Sequence, residues 1–516
     1  MSDPYVLIVG SGFAGLGMAI RLKQAGIDDF VVLEQAGDVG GTWRDNHYPG
    51  AACDVQSHLY SFSFEPWPEW TRDFAQQKEI LAYLRHCAGK YGIRPHIRFH
   101  TKATSARFDA RTGLWQVGIS DAKGASTIQA RVLVPGCGPL SRPSLPDIPG
   151  LASFQGTMFH SARWDDAFPL DGKNVAVVGT GASAIQIVPA IAPRVKKLSV
   201  FQRTPPWILP KPDGAIPAWK RAVFRKVPLA QTLARRRIYW TRELMAVGFV
   251  VDPRILKALS RLARLNLRKH VKDPVLREKL TPGYTMGCKR ILPTNDYLPA
   301  LQRPNVELVT SGIAEVKAHA IVTKDGTERP IDALVLATGF EAAEAVAPFD
   351  VVGRHGQSLD AAWRDGAEAY LGTTVAGFPN LFLLVGPNTG LGHSSMVFII
   401  ESQLAYVLGA VKRMRERELR FVDVRPDVQA AYNARIQEKL KKTVWATGCM
   451  SWYLTATGKN TTVWPGFTFE YRRLTKSFDA ASYEEAKLQE RAASDQPASV
   501  AQAPPITTSS RSFTLT

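Results

Sequence analysis

The sequence predicts an α/β fold carrying two strand–turn–helix–strand units, with a helical segment inserted after the second. Three stretches predict it. YVLIVGSGFAGLGMAIRLKQAGIDDFVVLE opens with an apolar strand, then Gly10, Gly12 and Gly15, a helix and a second strand. DGKNVAVVGTGASAIQIVPAIAPRVKKLSVFQRTPPW repeats that grammar from residue 171. IDALVLATGF, from Ile331 to Phe340, is an apolar strand with a turn, of the kind that returns a chain to its first sheet. Two such units make two Rossmann-like, dinucleotide-binding domains.

Composition sets the outer limits. With 516 residues the chain has material for two or three domains, and 45% hydrophobic with 21% charged residues is globular rather than disordered or fibrous. No apolar run reaches the ~20 residues that span a bilayer. MSDPYVLIVG carries no basic leader and enters a strand at once, which reads as cytoplasmic. The five cysteines (Cys53, Cys87, Cys137, Cys288 and Cys449) are odd in number, scattered and without metal-ligand or CxxC spacing. They read as reduced thiols, and no metal is expected. Between Lys220 and Leu280 stand 17 Lys and Arg against 4 Asp and Glu, so +13 of the chain's +18 lies there. Segment 216–280 has helical periodicity with basic faces, which fits a solvated surface or a peripheral contact with an anionic membrane. No nucleic-acid motif accompanies the charge, so nucleic acid is not an expected partner.

In the first unit, Gly10, Gly12 and Gly15 allow a tight turn, close approach of a pyrophosphate and close helix–strand packing. Glu34, 19 residues after Gly15, is placed to accept from ribose hydroxyls. GGTWRDNHYPGAACD follows, and its Gly41, Thr42 and Trp43 suit an extended FAD; Tyr60 joins the same set. Asp54 ends this apolar and aromatic loop, where an unpaired carboxylate would be costly, so it requires a partner from elsewhere.

The second unit has Gly179, Gly181 and Ser183 in place, but no acid ends its second strand; the residues there are Gln202, Arg203 and Thr204. A carboxylate would repel a 2′-phosphate and a guanidinium would bind one, so this site favours NADPH. FQGTMFHSARWD, residues 154–165, stands between the units and reads as an interdomain hinge. In it His160 couples domain positions without touching substrate. Further on, NLFLLVGPNTGLGHSSMVFIIESQ gives a turn at Gly386 and a helix from near Ser394, with Met396 in its first turn. The positive end of that helix suits the electron-rich side of a reduced flavin. The expected organisation is an FAD domain from 1–150 and 340–485, an NADP domain from 151–215 and 281–339, the basic helical insertion 216–280, and a disordered tail 491–516.

Gly40 to Asp54 fits the pattern A/G-G-x-W-x4-F/Y-P-G/M-x3-D position for position. Phe154, Gly156, His160, Trp164 and Asp165 fit F-x-G-x3-H-x3-W-P/D. On these motifs the chain resembles the class B flavoprotein monooxygenases, and more narrowly the type I Baeyer–Villiger monooxygenases; relatives that oxidise N and S carry Tyr or Phe where Trp164 stands. The resemblance covers nearly the whole chain except the tail. It implies FAD, NADPH and O2, and conversion of ketones to esters or lactones through a C4a-peroxyflavin. It also implies that Arg290 is catalytic with Asp54 as its partner, that Lys289 helps hold the NADPH phosphate, and that Trp452 lies on a loop closing over NADP. One departure is Pro135-Gly136-Cys137-Gly138, where relatives often have an Ala-Thr-Gly-like turn. Two alternatives remain open: an N- or S-oxygenating flavin monooxygenase, and a flavin-bearing membrane-docking or sensor protein.

Overall fold

The computed structural model describes residues 3–341, 346–449, 453–455 and 457–488. Two parallel sheets organise the chain. In the first, β1 (Val6–Val9) runs into helix α1 (Phe13–Gln24) and back to β2 (Phe30–Leu33); β3 (Ile97–Arg98) and β4 (Val132–Pro135) complete the order β3-β2-β1-β4. Val6 pairs with Phe30 on one side and Val132 on the other, so β1 is central and its four side chains are all buried. That double burial is why the strand reads as an unbroken apolar run rather than an alternating one.

The second sheet has the order β8-β7-β6-β9-β5. It is built from β5 (Thr157–His160), β6 (Asn174–Val178) with helix α2 (Ala184–Ile191), β7 (Lys197–Phe201), β8 (Val306–Val309) and β9 (Ala333–Leu336). Every pairing in it is parallel. The stretch expected as a free hinge is therefore partly sheet: Thr157 to His160 form an edge strand, His160 opposite Leu336. β9, between β6 and β5, supplies the hydrogen-bonding edge that a sequence window around residue 157 cannot show.

The basic segment carries α3 (Ala218–Lys226), α4 (Pro228–Val250), α5 (Arg254–His270) and a short helix at Pro274–Lys279. α4 starts with proline in its first turn, where a missing N–H costs nothing. A long helix α6 (Met396–Glu416) packs against α1, with Leu404 and Val407 in one apolar cluster with Ile8, Leu16 and Ile20. A second cluster joins Val177 and Val200 of the second sheet to Ile187 of α2. Antiparallel strands Lys102–Asp109, Leu114–Asp121 and Gly124–Ala130, with Asp350–Val352 at one edge, form a separate four-stranded sheet that the sequence reading did not anticipate.

Cysteine chemistry differs from expectation. Cys288 and Cys449, 161 residues apart, form a disulfide with their Cα atoms 6.2 Å apart, so two of the five expected thiols are not free. The fold brings together positions whose spacing carries no signal. Cys53, Cys87 and Cys137 remain thiols. Among the described residues no helix is long and apolar enough to cross a membrane, and no group of His, Cys, Asp and Glu could hold a metal ion. Residues 491–516 and Trp452 lie outside the described residues.

Candidate active site

Both glycine turns open at the C-terminal ends of their sheets, into one continuous cavity of about 1710 Å³. At the first turn Gly10 has φ +98°, and a Cβ on Gly15 would stand 1.8 Å from the Gly10 carbonyl oxygen, so no larger residue fits where α1 meets β1. Gly41 presses on the same turn, its would-be Cβ 3.0 Å from the Gly12 Cα. Glycines thus bring two bare backbone segments together at the cavity wall, which is what close approach of a pyrophosphate needs. The buried Glu34 carboxylate accepts from Ser11 N at 3.0 Å and Ser11 Oγ at 2.6 Å, and pairs with Arg44 at 3.0 Å. Gly10, Gly12, Glu34, Gly41, Thr42, Trp43 and Tyr60 all line the cavity; Gly15 lies behind its wall. Trp43 Nε1 donates to the Tyr60 hydroxyl at 3.1 Å, fixing both rings. The departing turn Pro135–Gly138 does not disturb this wall: Gly136 N donates to Val9 O at 2.8 Å, keeping β4 in register beside Gly10.

At the second turn Gly179 has φ +116° and sits against the Ala337 carbonyl, while Gly181 is open. Gly179, Gly181, Ser183, Arg203 and Lys289 line the same cavity. Among the described residues no carboxylate pairs with Arg203 or Lys289. Burial, and then the nearby Arg203 charge, lower the Lys289 ammonium below its ordinary value. Two mutually repelling cations at the end of a strand without an acid form a ready anion site.

Asp54 and Arg290 meet on the wall of this cavity. Arg290 Nε donates to Asp54 Oδ2 at 2.8 Å and Nη2 to Oδ1 at 2.9 Å, a two-pronged fork; Nη1 reaches the Leu391 carbonyl at 3.4 Å. Burial alone would raise the Asp54 pKa, but the Arg290 guanidinium overrides it and holds the carboxyl below the usual carboxylate range. Asp54 in turn raises Arg290 further above its ordinary value, against burial. Both line the cavity, with Gly386, Leu391 and Met396 close by. Ser395 caps α6, its Oγ accepting from Val397 N at 3.3 Å, and the positive end of that helix adds to the field.

The hinge residues stand apart. Phe154, Gly156, His160, Trp164 and Asp165 do not line the cavity. Trp164 packs edge-on against Phe159 with centroids 4.8 Å apart, and a side chain on Gly156 would collide with the Asp332 carbonyl at 2.5 Å. His160 Nδ1 accepts from Ala162 N at 3.1 Å, and burial lowers its imidazole below the ordinary value.

Arg242 was missed. From the inner face of α4 it clasps Gln56 Oε1 through Nε at 2.9 Å and Nη2 at 2.6 Å, with Nη2 also 3.3 Å from the Asp54 carbonyl oxygen. Next to it, buried Glu243 accepts from Thr468 N at 2.9 Å and Thr468 Oγ1 at 2.6 Å. Nothing in the local sequence distinguishes these charges from the others on the segment; only their place on the helix does.

The flavin-binding monooxygenase-like family matches residues 4–349. A Baeyer-Villiger monooxygenase of Pseudomonas aeruginosa is 52% identical over 480 residues, covering 93% of this chain and 90% of that protein. One from Streptomyces coelicolor is 50% identical over 481 residues, covering 93% and 92%. Among solved structures, the OTEMO complex with FAD and NADP superposes with a TM-score of 0.84 at 28% identity, covering 94% of this chain and 100% of that one.

Proposed function

The chain belongs to the flavin-binding monooxygenase-like family, and from that premise we propose that it is an FAD-containing, NADPH- and O2-dependent Baeyer–Villiger monooxygenase converting ketones to esters or lactones. The observation that carries the reading is the Arg290–Asp54 fork on the wall of a cavity reached by both glycine turns. The glycine cradle fits FAD at the first turn, and the cation pair fits the phosphate of NADPH at the second. On this reading residues 1–150 and 340–485 hold FAD, and 151–215 with 281–339 hold NADPH. The enzyme is cytoplasmic, its reactants are a small ketone and O2, and segment 216–280 meets a membrane peripherally.

FAD, when bound and reduced by NADPH, would activate O2 so that one oxygen atom enters beside the ketone carbonyl and the other leaves as water. The chain's own residues do the rest. Arg290 presents a permanent positive charge where negative charge gathers on oxygen during insertion, and a charge fixed in advance costs no reorganisation. Asp54 keeps that guanidinium in one orientation and, being ionised across the working pH range, does not release it. Arg203 and Lys289 grip the 2′-phosphate, and Glu34 holds a ribose of FAD.

The test is NADPH-dependent oxygen uptake with product identification, using a panel of linear, cyclic and aryl ketones beside a sulfide. Esters or lactones from at least one ketone are expected. Sulfoxide with no ester from any ketone would move the assignment to the N- and S-oxidising branch.

A further inference from the structure

Helix α4 buries polar side chains toward the protein body, alongside Ala246 and Phe249, and leaves large apolar ones outside. Its inner face carries Gln231, Arg235, Arg242 and Glu243, each engaged by a hydrogen bond to the protein body. Its outer face carries Leu229, Leu233, Trp240 and Leu244, exposed by 64, 55, 58 and 73%. Their spacing of four, seven and four residues puts them within one stripe of the helix. An outer apolar stripe opposite a satisfied polar face is not spare core, because the core side of this helix is already filled.

Apolar exposure recurs on the two helices that pack against α4. Among the described residues 19 large apolar side chains are exposed, and 13 of them fall between Trp219 and Val275. Trp219, 69% exposed, stands open on α3, as do Leu262 and Leu265 on α5. Exposed Arg236 and Arg237 interrupt the α4 stripe, and Arg261 and Arg268 flank the apolar side of α5. Concentrated apolar exposure of this kind marks a contact surface.

We propose that α3–α5 form a docking face for an anionic membrane surface, the apolar stripe entering the headgroup boundary and the arginines meeting lipid phosphates. Charge decides the occupant. A second copy would press the exposed arginines of this face, Arg236, Arg237, Arg261 and Arg268, against their own image in a two-fold contact. Nucleic acid would answer the charge but offers nothing to leucine. Leucine and tryptophan beside arginine, on helices that cannot span a bilayer, are what an anionic interface accepts. The proposal is independent of the catalytic reading, since membrane binding is measured without turnover.

The test is flotation of the FAD-loaded, full-length protein with phosphatidylcholine vesicles and with vesicles containing phosphatidylglycerol. Binding to the anionic vesicles is expected to exceed that to the neutral ones by about tenfold or more at low salt. The combined variant Leu233→Gln, Trp240→Gln, Leu244→Gln should lose about tenfold of that binding at unchanged charge, and Arg236→Glu with Arg237→Glu a comparable amount. Unchanged flavin content and flavin absorbance in both variants show that they are folded. No flotation with anionic vesicles overturns the proposal. So does equal flotation by the combined glutamine variant, or a parent dimer in solution that this variant breaks up.

Discussion

Arg242 holds the loop of Asp54 from behind: its Nη2 is 3.3 Å from the Asp54 carbonyl oxygen while its Nε and Nη2 close on Gln56 Oε1. The side chain of Asp54 is committed to Arg290 and its backbone to Arg242, so the carboxylate is fixed from two sides. Arg242→Met should lower kcat about tenfold while leaving KM for NADPH nearly unchanged, because a loosened loop misplaces the Arg290 charge without touching the phosphate site. Arg242→Lys should restore only part of the rate, lacking the two-pronged grip. A proportional rise in KM for NADPH would show that the defect is general.

Replacing Arg290 removes the charge itself. Arg290→Ala should lower ester formation by about 10²- to 10³-fold or more, the range for deleting one preorganised stabilising group. NADPH consumption should continue, with hydrogen peroxide in place of ester. Asp54→Asn should give an intermediate loss. Normal ester yield from Arg290→Ala would remove this residue from the chemistry.

The proposed function makes coenzyme choice depend on Arg203. Arg203→Ala should raise KM for NADPH by about 10- to 100-fold and leave KM for NADH almost unchanged, as loss of one charge-assisted contact to phosphate would do. Because Arg203 helps to depress the Lys289 pKa, the same change should also raise that pKa. Parallel kinetics with both coenzymes decide the point; an unaltered preference would place the 2′-phosphate elsewhere.

Asp423 makes stability depend on pH. Burial raises its carboxyl from 3.8 to about 7, although Gly377 N donates to it at 3.0 Å. The folded state keeps this proton to a higher pH than the unfolded state. Stability from this group is therefore full below the unfolded value and is lost as pH rises toward about 7. Asp423→Asn cannot ionise and keeps the acceptor for Gly377. It should match the wild type in acid and exceed it by a few kcal/mol, on the order of three pH units of linkage, above neutrality. Urea midpoints measured across that range test this; a difference that does not change with pH would contradict it.

The legible parts of the molecule were those whose cause is local. Gly10, Gly15 and Glu34 follow one another within a single βαβ unit, so their roles can be counted along the chain. The place of Arg203 on the cavity wall follows the end of β7, and an absent acid at a strand end is also a local fact. Asp54 announced only that it required a partner, and Arg290 lies 236 residues away. Arg235 and Arg242 were counted with the exposed charge of their segment, since composition does not distinguish the two sides of a helix. Strand β5 was hidden because β9, its partner, arrives 176 residues later. The strands Lys102–Asp109 and Leu114–Asp121 alternate buried and open positions over much of their length, but their polar outward residues weaken the apolar signal, and Gly124–Ala130 is open over its first four residues.

The bond between Cys288 and Cys449 changes what a cut in the backbone can do. It closes a covalent ring through residues 288 to 449, which includes β8, β9 and α6. A protease that nicks any loop within that ring opens the chain without parting it. The two fragments travel as one molecule on a denaturing gel until a reductant is added, so damage there stays hidden when samples are run without one.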